Sequence, residues 1–307
     1  MTSSLHRQRV LVTGASGFIG SRLCVRLVSL GAEVHGVSRS ERNGTVRWWT
    51  ADVTDDVAVR AVVQAVQPDV VFHLAGLVSG ARDRALVVPM LQSHTVGTIN
   101  VLLASANSGC RRIVRVGSLE EPDGTDAAAP VSAYAAAKSA AAIYARLLHR
   151  AYAAPVVTLR LFMVYGPGQL DDTKLVPYVV CSLLRNRAPL LSSGVRPVDW
   201  VFVDDVVDAL IAAAAAEHVE GETLDVGSGA LIPIRAVVEE IARHIGAAVA
   251  PQFGARPDRP NERVCVANLG RTRDLIGWRP KTYLTKGLDA TIAWYAAREK
   301  RSIANHR

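Results

Sequence analysis

A phenol and an ammonium stand four residues apart in Ser132-Ala-Tyr134-Ala-Ala-Ala-Lys138, within a stretch rich in helix formers. Four residues is close to one helical turn, so both side chains share a face. A free tyrosine titrates near pH ~10 and is a poor base at neutrality; an adjacent cation favours the phenolate and lowers that value by roughly a unit or more. The pair is therefore an acid/base that can be tuned toward neutral pH. By itself, Tyr-x-x-x-Lys is also what a packed tyrosine beside a solvated lysine looks like on any alanine-rich helix. Reading it as chemistry depends on what the rest of the chain supplies.

The elements that must position the pair begin with Arg9-Val-Leu-Val-Thr13, a short apolar run that leads into Gly14-Ala-Ser16-Gly17-Phe18-Ile19-Gly20; apolar residues then recur at helical spacing from Ser21 to Leu30. Strand, glycine turn and helix are the context of a dinucleotide fingerprint. Gly14 permits the tight turn, Gly17 lets the backbone approach a pyrophosphate, and Gly20 lets the helix pack against the strand, with its N-terminus facing the anion. The second strand, Glu33 to Val37, runs into Ser38-Arg39-Ser40. A carboxylate there would bind the adenosine ribose and repel a 2′-phosphate, so serine and arginine point to NADP, with NAD still open; the alternative is a solvated arginine.

A third strand spans Val46 to Ala51, with Asp52 and Val53 at its end and an N-cap expected at Thr54 or Asp55 before a helix that Pro68 closes. Asp52 either reaches the adenine amino group or caps the turn. The fourth strand, Asp69 to His73, leads into Leu74-Ala75-Gly76, small enough for a cofactor to lie against the backbone; His73 reads as a packed strand-end residue. A helical region from Leu86 to Ser108 and a fifth strand, Arg111 to Val116, follow, then Gly117-Ser118-Leu119-Glu120-Glu121 and a loop to Pro130. This alternation predicts an α/β fold, a doubly wound parallel (Rossmann) sheet with ligands at the carboxyl ends of its strands, so Ser118 lies on the edge that carries Gly14 and His73.

The chain has 307 residues, half of them hydrophobic, enough for one large α/β domain and a small one. Its net charge of +7 suits an acidic ligand such as a phosphorylated compound. Nucleic acid is not expected, because the arginines are scattered and no basic run interleaves with aromatics. Cys24, Cys110, Cys181 and Cys265 lie far apart, so no metal site is expected. The polar, basic stretch Met1 to Gln8 and the apolar run broken at Gly14 are neither signal peptide nor membrane span, and a cytoplasmic protein without a membrane partner is expected.

Together, Gly14-Ala-Ser-Gly17-Phe-Ile-Gly20, His73-Leu-Ala-Gly76, Ser118, Tyr134-x-x-x-Lys138, Leu161-Phe-Met-Val-Tyr-Gly-Pro-Gly-Gln169 and Asp199-Trp-Val-Phe-Val-Asp-Asp205 resemble the extended short-chain dehydrogenase/reductases, specifically the nucleotide-sugar epimerase/dehydratase family. The resemblance implies that Tyr134 moves a proton on or off a sugar hydroxyl while hydride passes to or from nicotinamide. Lys138 would hold the nicotinamide ribose and depress the tyrosine, and Ser118 would hydrogen-bond the reacting oxygen. Family dehydratases place adjacent acids after this serine; here Leu119 precedes Glu120, so 4,6-dehydration is disfavoured and Ser118-x-Glu120-Glu121 looks closer to 4-keto-6-deoxysugar reductases. Glu120 is then either a catalytic group or a loop carboxylate. Met163 replaces a frequent asparagine that faces the sugar diphosphate, and Val198 replaces an arginine that Arg196, on the same face of a strand, could substitute for. Arg256-Pro-Asp-Arg259-Pro is a rigid basic loop, either for phosphate or merely solvated.

These motifs divide the chain into residues 1–162 plus 198–226 as the dinucleotide-binding domain and 163–197 plus 227–307 as a smaller α/β substrate domain. The expected activity is hydride transfer at a ring carbon, C4, of a nucleotide-activated hexose, as 4-ketoreductase or 4-epimerase. A reductase of a ketone without a nucleotide and a non-catalytic NADP-sensing protein are the competing readings. The alanines at 135, 136, 137, 140, 141, 142 and 145 would let the helix approach a partner helix closely, as in the family's four-helix dimer contact, so a homodimer is expected.

Overall fold

Short apolar strands followed by capped helices set the architecture in the computed structural model, which describes residues 5–79, 81–121, 130–260 and 262–304. Residues 122–129, the body of the expected loop after Glu121, lie outside them. In chain order the first elements are β1 (Arg9–Thr13), α1 (Phe18–Ser29), β2 (Glu33–Ser38), β3 (Arg47–Thr50), α2 (Asp56–Val66) and β4 (Val70–His73). A continuous helical run follows: a 3₁₀ turn at Arg84–Leu86, α3 (Val87–Met90), a π-helical turn at Leu91–Val96 and α4 (Gly97–Asn107). Then come β5 (Arg112–Ser118), α5 (Ala133–Tyr152), β6 (Val156–Leu161), β7 (Met163–Tyr165), α6 (Leu175–Leu184), β8 (Pro197–Phe202) and α7 (Val203–Ala215). The chain ends through β9 (Thr223–Val226), β10 (Leu231–Pro233), α8 (Ile234–Ile245), α9 (Leu269–Ile276) and α10 (Leu284–Ala304).

Two compact units result. The first holds residues 1–161, 207–226 and 269–278. Its seven strands pair in the order β3-β2-β1-β4-β5-β6-β9, and every neighbouring pair is parallel. This is the doubly wound sheet expected. Val70, Val71 and Phe72 are fully buried, as strands covered on both faces must be. Between this sheet and the helices lies a core that includes Leu11, Val59, Val63, Val101, Leu102 and Ile113. Asp55 caps α2 by accepting from the Ala58 amide at 3.0 Å, and Gln67, with φ 48°, closes it in the left-handed conformation ahead of Pro68.

The second unit holds residues 162–206, 227–268 and 279–307. Its sheet has the order β10-β8-β7, with β8 antiparallel to β10 and parallel to β7. Tyr165, Val179, Trp200, Val238, Leu288 and Tyr295 form its core. Apart from Phe162, which moves to the second unit, the expected boundaries need two corrections. Residues 198–206 belong with the second unit, because β8 pairs there and Trp200 and Phe202 pack in its core. Residues 269–278 belong with the first, where the Thr272 hydroxyl donates to the Asp225 carbonyl at 2.8 Å and Arg271 pairs with Glu222.

Candidate active site

Ser132 starts α5, its hydroxyl accepting from the Ala135 amide at 3.0 Å, and this cap sets the phase of the helix that carries Tyr134 and Lys138. The Tyr134 hydroxyl lies close enough to Ser118, the last residue of β5, for the serine to favour its phenolate. Tyr134 is half-buried, whereas Lys138 is only 8% exposed and its Nζ donates to the Val116 carbonyl at 2.8 Å. Ser118, Tyr134 and Lys138 are thus gathered at the carboxyl end of β5. Burial pushes the tyrosine up to about 12; Ser118 opposes this, Glu121 and Glu120 add to it, and Arg115 offsets part of it. Burial and then the Arg115 charge lower Lys138 to about 8. The expected depression of the tyrosine is therefore not met in this geometry: desolvation and the two glutamates outweigh Ser118 and the Arg115 charge.

The glycine turn is as tight as the fingerprint requires. Gly14 has φ +70°, and a Cβ on Gly20 would stand 2.1 Å from the Gly14 carbonyl oxygen. Gly17 caps α1 without a side-chain bond, and the first turn carries no acid, so the amides of Phe18, Ile19 and Gly20 present a positive helix end beside exposed Ser16. That cradle fits a dinucleotide pyrophosphate. Leu74, Ala75 and Gly76 run alongside: the Leu74 amide donates to the Thr13 carbonyl at 3.1 Å, and a Cβ on Gly14 would meet the Ala75 nitrogen at 2.7 Å. Ser38 ends β2 buried, with Arg39 exposed next to it. Val53 is buried, and its carbonyl accepts from Asn100 at 3.0 Å. Asp52 takes the turn-capping alternative, accepting from both the amide and the hydroxyl of Thr54 at 2.9 Å.

His73 is held between two hydroxyls, Thr13 at 2.8 Å and Thr98 at 3.0 Å, and burial keeps it neutral, a packed strand end as expected. Glu120 is half-buried, and its amide donates to the Ser118 hydroxyl at 3.2 Å. Glu121 turns inward to pair with Arg115 at 2.7 Å. Sequence reasoning missed His94. Its ring meets Tyr134 edge-on with centroids 5.1 Å apart, its Nε2 donates to the Leu77 carbonyl at 2.7 Å, and burial lowers it to about 3. It lies in the π turn, where Ser93 accepts from the Leu77 amide and Thr95 donates to the Ala137 carbonyl, so one turn tethers both the cofactor-side loop and α5. A lone histidine in a helix with no charged residue after Arg84 was the available signal.

The remaining expected contacts lie in the second unit. Met163 packs against that unit's core and presents no polar group. Arg196 pairs with Glu262 at 2.9 Å, and Arg259 approaches the same carboxylate at 3.8 Å. Arg256 lies with its guanidinium 5.4 Å from the Tyr178 ring centroid.

Residues 10–227 match the family model described as NAD dependent epimerase/dehydratase family. The chain is 30% identical to the UDP-glucose 4-epimerase of Mycolicibacterium smegmatis, over 94% of this chain and 98% of that protein. It is 28% identical to a dTDP-glucose 4,6-dehydratase of Xanthomonas campestris pv. campestris, over 93% and 92%. Among solved structures, the Bordetella bronchiseptica enzyme WbmF in complex with NAD+ superposes with a TM-score of 0.83 at 25% identity, covering 97% of this chain and 96% of that one. With the parallel sheet, the glycine cradle and the Ser118, Tyr134 and Lys138 cluster in place, the chain belongs to the NAD-dependent epimerase/dehydratase family of the extended short-chain dehydrogenase/reductases.

Proposed function

We propose that this enzyme transfers hydride at C4 of a nucleotide-activated hexose, as a 4-epimerase or a 4-ketoreductase. The observation that carries the reading is the gathering of Ser118, at the end of β5, with Tyr134 and Lys138 one turn apart on α5, the lysine bound to the Val116 carbonyl of the same strand. In the oxidative direction Tyr134 accepts the C4 hydroxyl proton; in the reductive direction it returns a proton to the ketone oxygen. Ser118 donates to that oxygen in both, so two donors stabilise it as it alternates between alcohol and ketone. The dinucleotide, when bound, supplies the hydride acceptor and donor. Lys138 would hold its nicotinamide ribose, and Gly14, Gly17 and the α1 amides its pyrophosphate. Relatives named for UDP-glucose and dTDP-glucose support the nucleotide-sugar class.

Dehydration at C4 and C6 is disfavoured, because Leu119 stands where an acid is expected and Glu121 is engaged with Arg115. This leaves Glu120 beside Ser118 as the candidate further acid/base. NADP is preferred over NAD, on the strength of Ser38 and exposed Arg39 at the end of β2. Arg196, Arg256 and Arg259 are the candidate phosphate contacts. A reductase of a ketone without a nucleotide is the second reading, favoured by apolar Met163 and by the engagement of Arg196 with Glu262. We place the enzyme in the cytoplasm as a homodimer.

The test is turnover of UDP-glucose and dTDP-glucose, with mass spectrometry of cofactor released from the denatured protein. Tyr134→Phe is expected to lose about 10²–10⁴-fold in kcat while still binding cofactor. Full activity in that variant would defeat the reading. Retained cofactor would favour the epimerase, which recycles its hydride; an empty site that prefers NADPH would favour the reductase.

A further inference from the structure

Behind the candidate catalytic cluster, on the interior side of β5, lies a charged pair that the proposed chemistry does not use. Arg115 and Glu121 are 1% and 2% exposed in their side chains. The guanidinium grips the carboxylate at both oxygens, Nη2 to Oε1 at 2.7 Å and Nη1 to Oε2 at 3.2 Å. The same Nη2 also donates to the main-chain carbonyl of Lys138 at 3.2 Å. One planar fork therefore ties the chain just after Ser118 to the turn of α5 that carries Tyr134 and Lys138.

The local sequence is arranged around this fork. The Glu121 amide donates to the Ser118 carbonyl at 2.9 Å, closing a tight turn that throws the Glu121 side chain back under the strand. Gly117 leaves room for it, since a Cβ there would stand 2.8 Å from Glu121 Oε2. Glu120, in the same turn, keeps its amide on the Ser118 hydroxyl. Buried ion pairs are weak contributors to stability, and apolar residues of similar volume commonly replace them without loss. What a planar fork adds is a fixed register between two segments, here the segment holding Ser118 and the segment holding Tyr134. Its charge also reaches the cluster: Arg115 favours deprotonation of both Tyr134 and Lys138, and Glu121 opposes it.

We infer that Arg115, through Glu121 and the Lys138 carbonyl, is a positioning residue that sets the Ser118 hydroxyl against the Tyr134 hydroxyl. The inference deepens the hydride-transfer reading and rests on it for its kinetic consequence, although the geometric consequence stands alone. It also assigns Glu121 a role outside proton transfer.

The test compares Arg115→Met/Glu121→Leu, which replaces the pair by apolar side chains, with Arg115→Lys, which keeps a charge but loses the fork. Crystal structures of both variants would be solved, and conversion of UDP-glucose would be followed beside wild type and Tyr134→Phe. The Ser118–Tyr134 separation is expected to be longer than in wild type in both variants, with kcat about ten- to hundredfold lower and KM unchanged. A separation equal to that of wild type, or a wild-type kcat, overturns the inference. If the double variant does not fold, Arg115→Lys decides by the same two measurements. If Tyr134→Phe is fully active the hydride-transfer reading fails, and if wild type does not convert UDP-glucose only its use of that substrate fails; in either case the separation alone decides the positioning role.

Discussion

At neutral pH, burial leaves Tyr134 protonated and Lys138 largely charged. A phenol pushed up to about 12 is ready to donate a proton and is a weak base, so use of the pair in the oxidative direction requires that the phenol be lowered once a cation lies against it. The residue proposed to discriminate between cofactors is further away. Arg39 is exposed at the end of β2 with no carboxylate at the strand's last residue, Ser38. Arg39→Asp is therefore expected to weaken NADPH relative to NADH by about tenfold, the effect of one lost charge-assisted phosphate contact. Parallel fluorescence titrations with the two reduced cofactors measure that ratio, and an unchanged ratio would return Arg39 to the solvated surface.

Among the elements, the π turn at Leu91–Val96 is the one whose loss would be felt in two places, since it presents Ser93 and His94 to Leu77 and presents His94 and Thr95 to α5. His94 is 3% exposed and its folded value, about 3, lies below the ordinary 6.5. As pH falls below 6.5 the unfolded chain takes up this proton first, so stability present above that pH is lost progressively down to about pH 3. His73, lowered in the same direction, adds to the effect. Urea unfolding between pH 4 and 6.5 should show stability rising with pH, with up to about 1.4 kcal/mol per unit from His94. His94→Gln should flatten that slope, and a slope equal to wild type would mean that His94 is protonated in the folded chain. Sequence periodicity found a helix here because the apolar spacing is regular. It gave no sign of the π turn, which is visible only through partners seventeen residues away at Leu77 and on α5. By contrast, Gly14, Gly17, Gly20, Tyr134 and Lys138 were legible because their chemistry is written in local spacing. The Arg115–Glu121 pair was not, because it forms by a chain reversal that places a strand residue against a residue beyond the next turn.

For the molecule as a whole, the alanines of α5 turn out to serve the chain's own packing. Ala135, Ala137, Ala141, Ala142 and Ala145 are buried within the first unit, so their small size lets α5 approach the preceding helical run of the same chain. The outward face is instead Ile143, 57% exposed, and Leu147, 47% exposed, one turn apart. An apolar face of this kind supports the proposed homodimer. Ile143→Lys with Leu147→Lys is expected to convert a dimer of 32.8 kDa chains into monomers by size-exclusion chromatography with light scattering, and a monomeric wild type at micromolar concentration would defeat the proposal.

The boundaries at residues 161, 206, 226, 268 and 278 mean that the polypeptide passes between its two units five times. During synthesis the ribosome therefore cannot release a finished dinucleotide-binding unit early. β6 emerges long before β9, the edge strand that pairs with it through Thr158–Thr223 to Leu161–Val226, and α9 arrives later still. At about 5–20 residues per second, that interval leaves the β6 edge unpaired for several seconds. The nascent chain must carry an open apolar sheet edge through much of its translation, which makes translation pace and chaperone access, as well as the finished contacts, determinants of its yield in the cell.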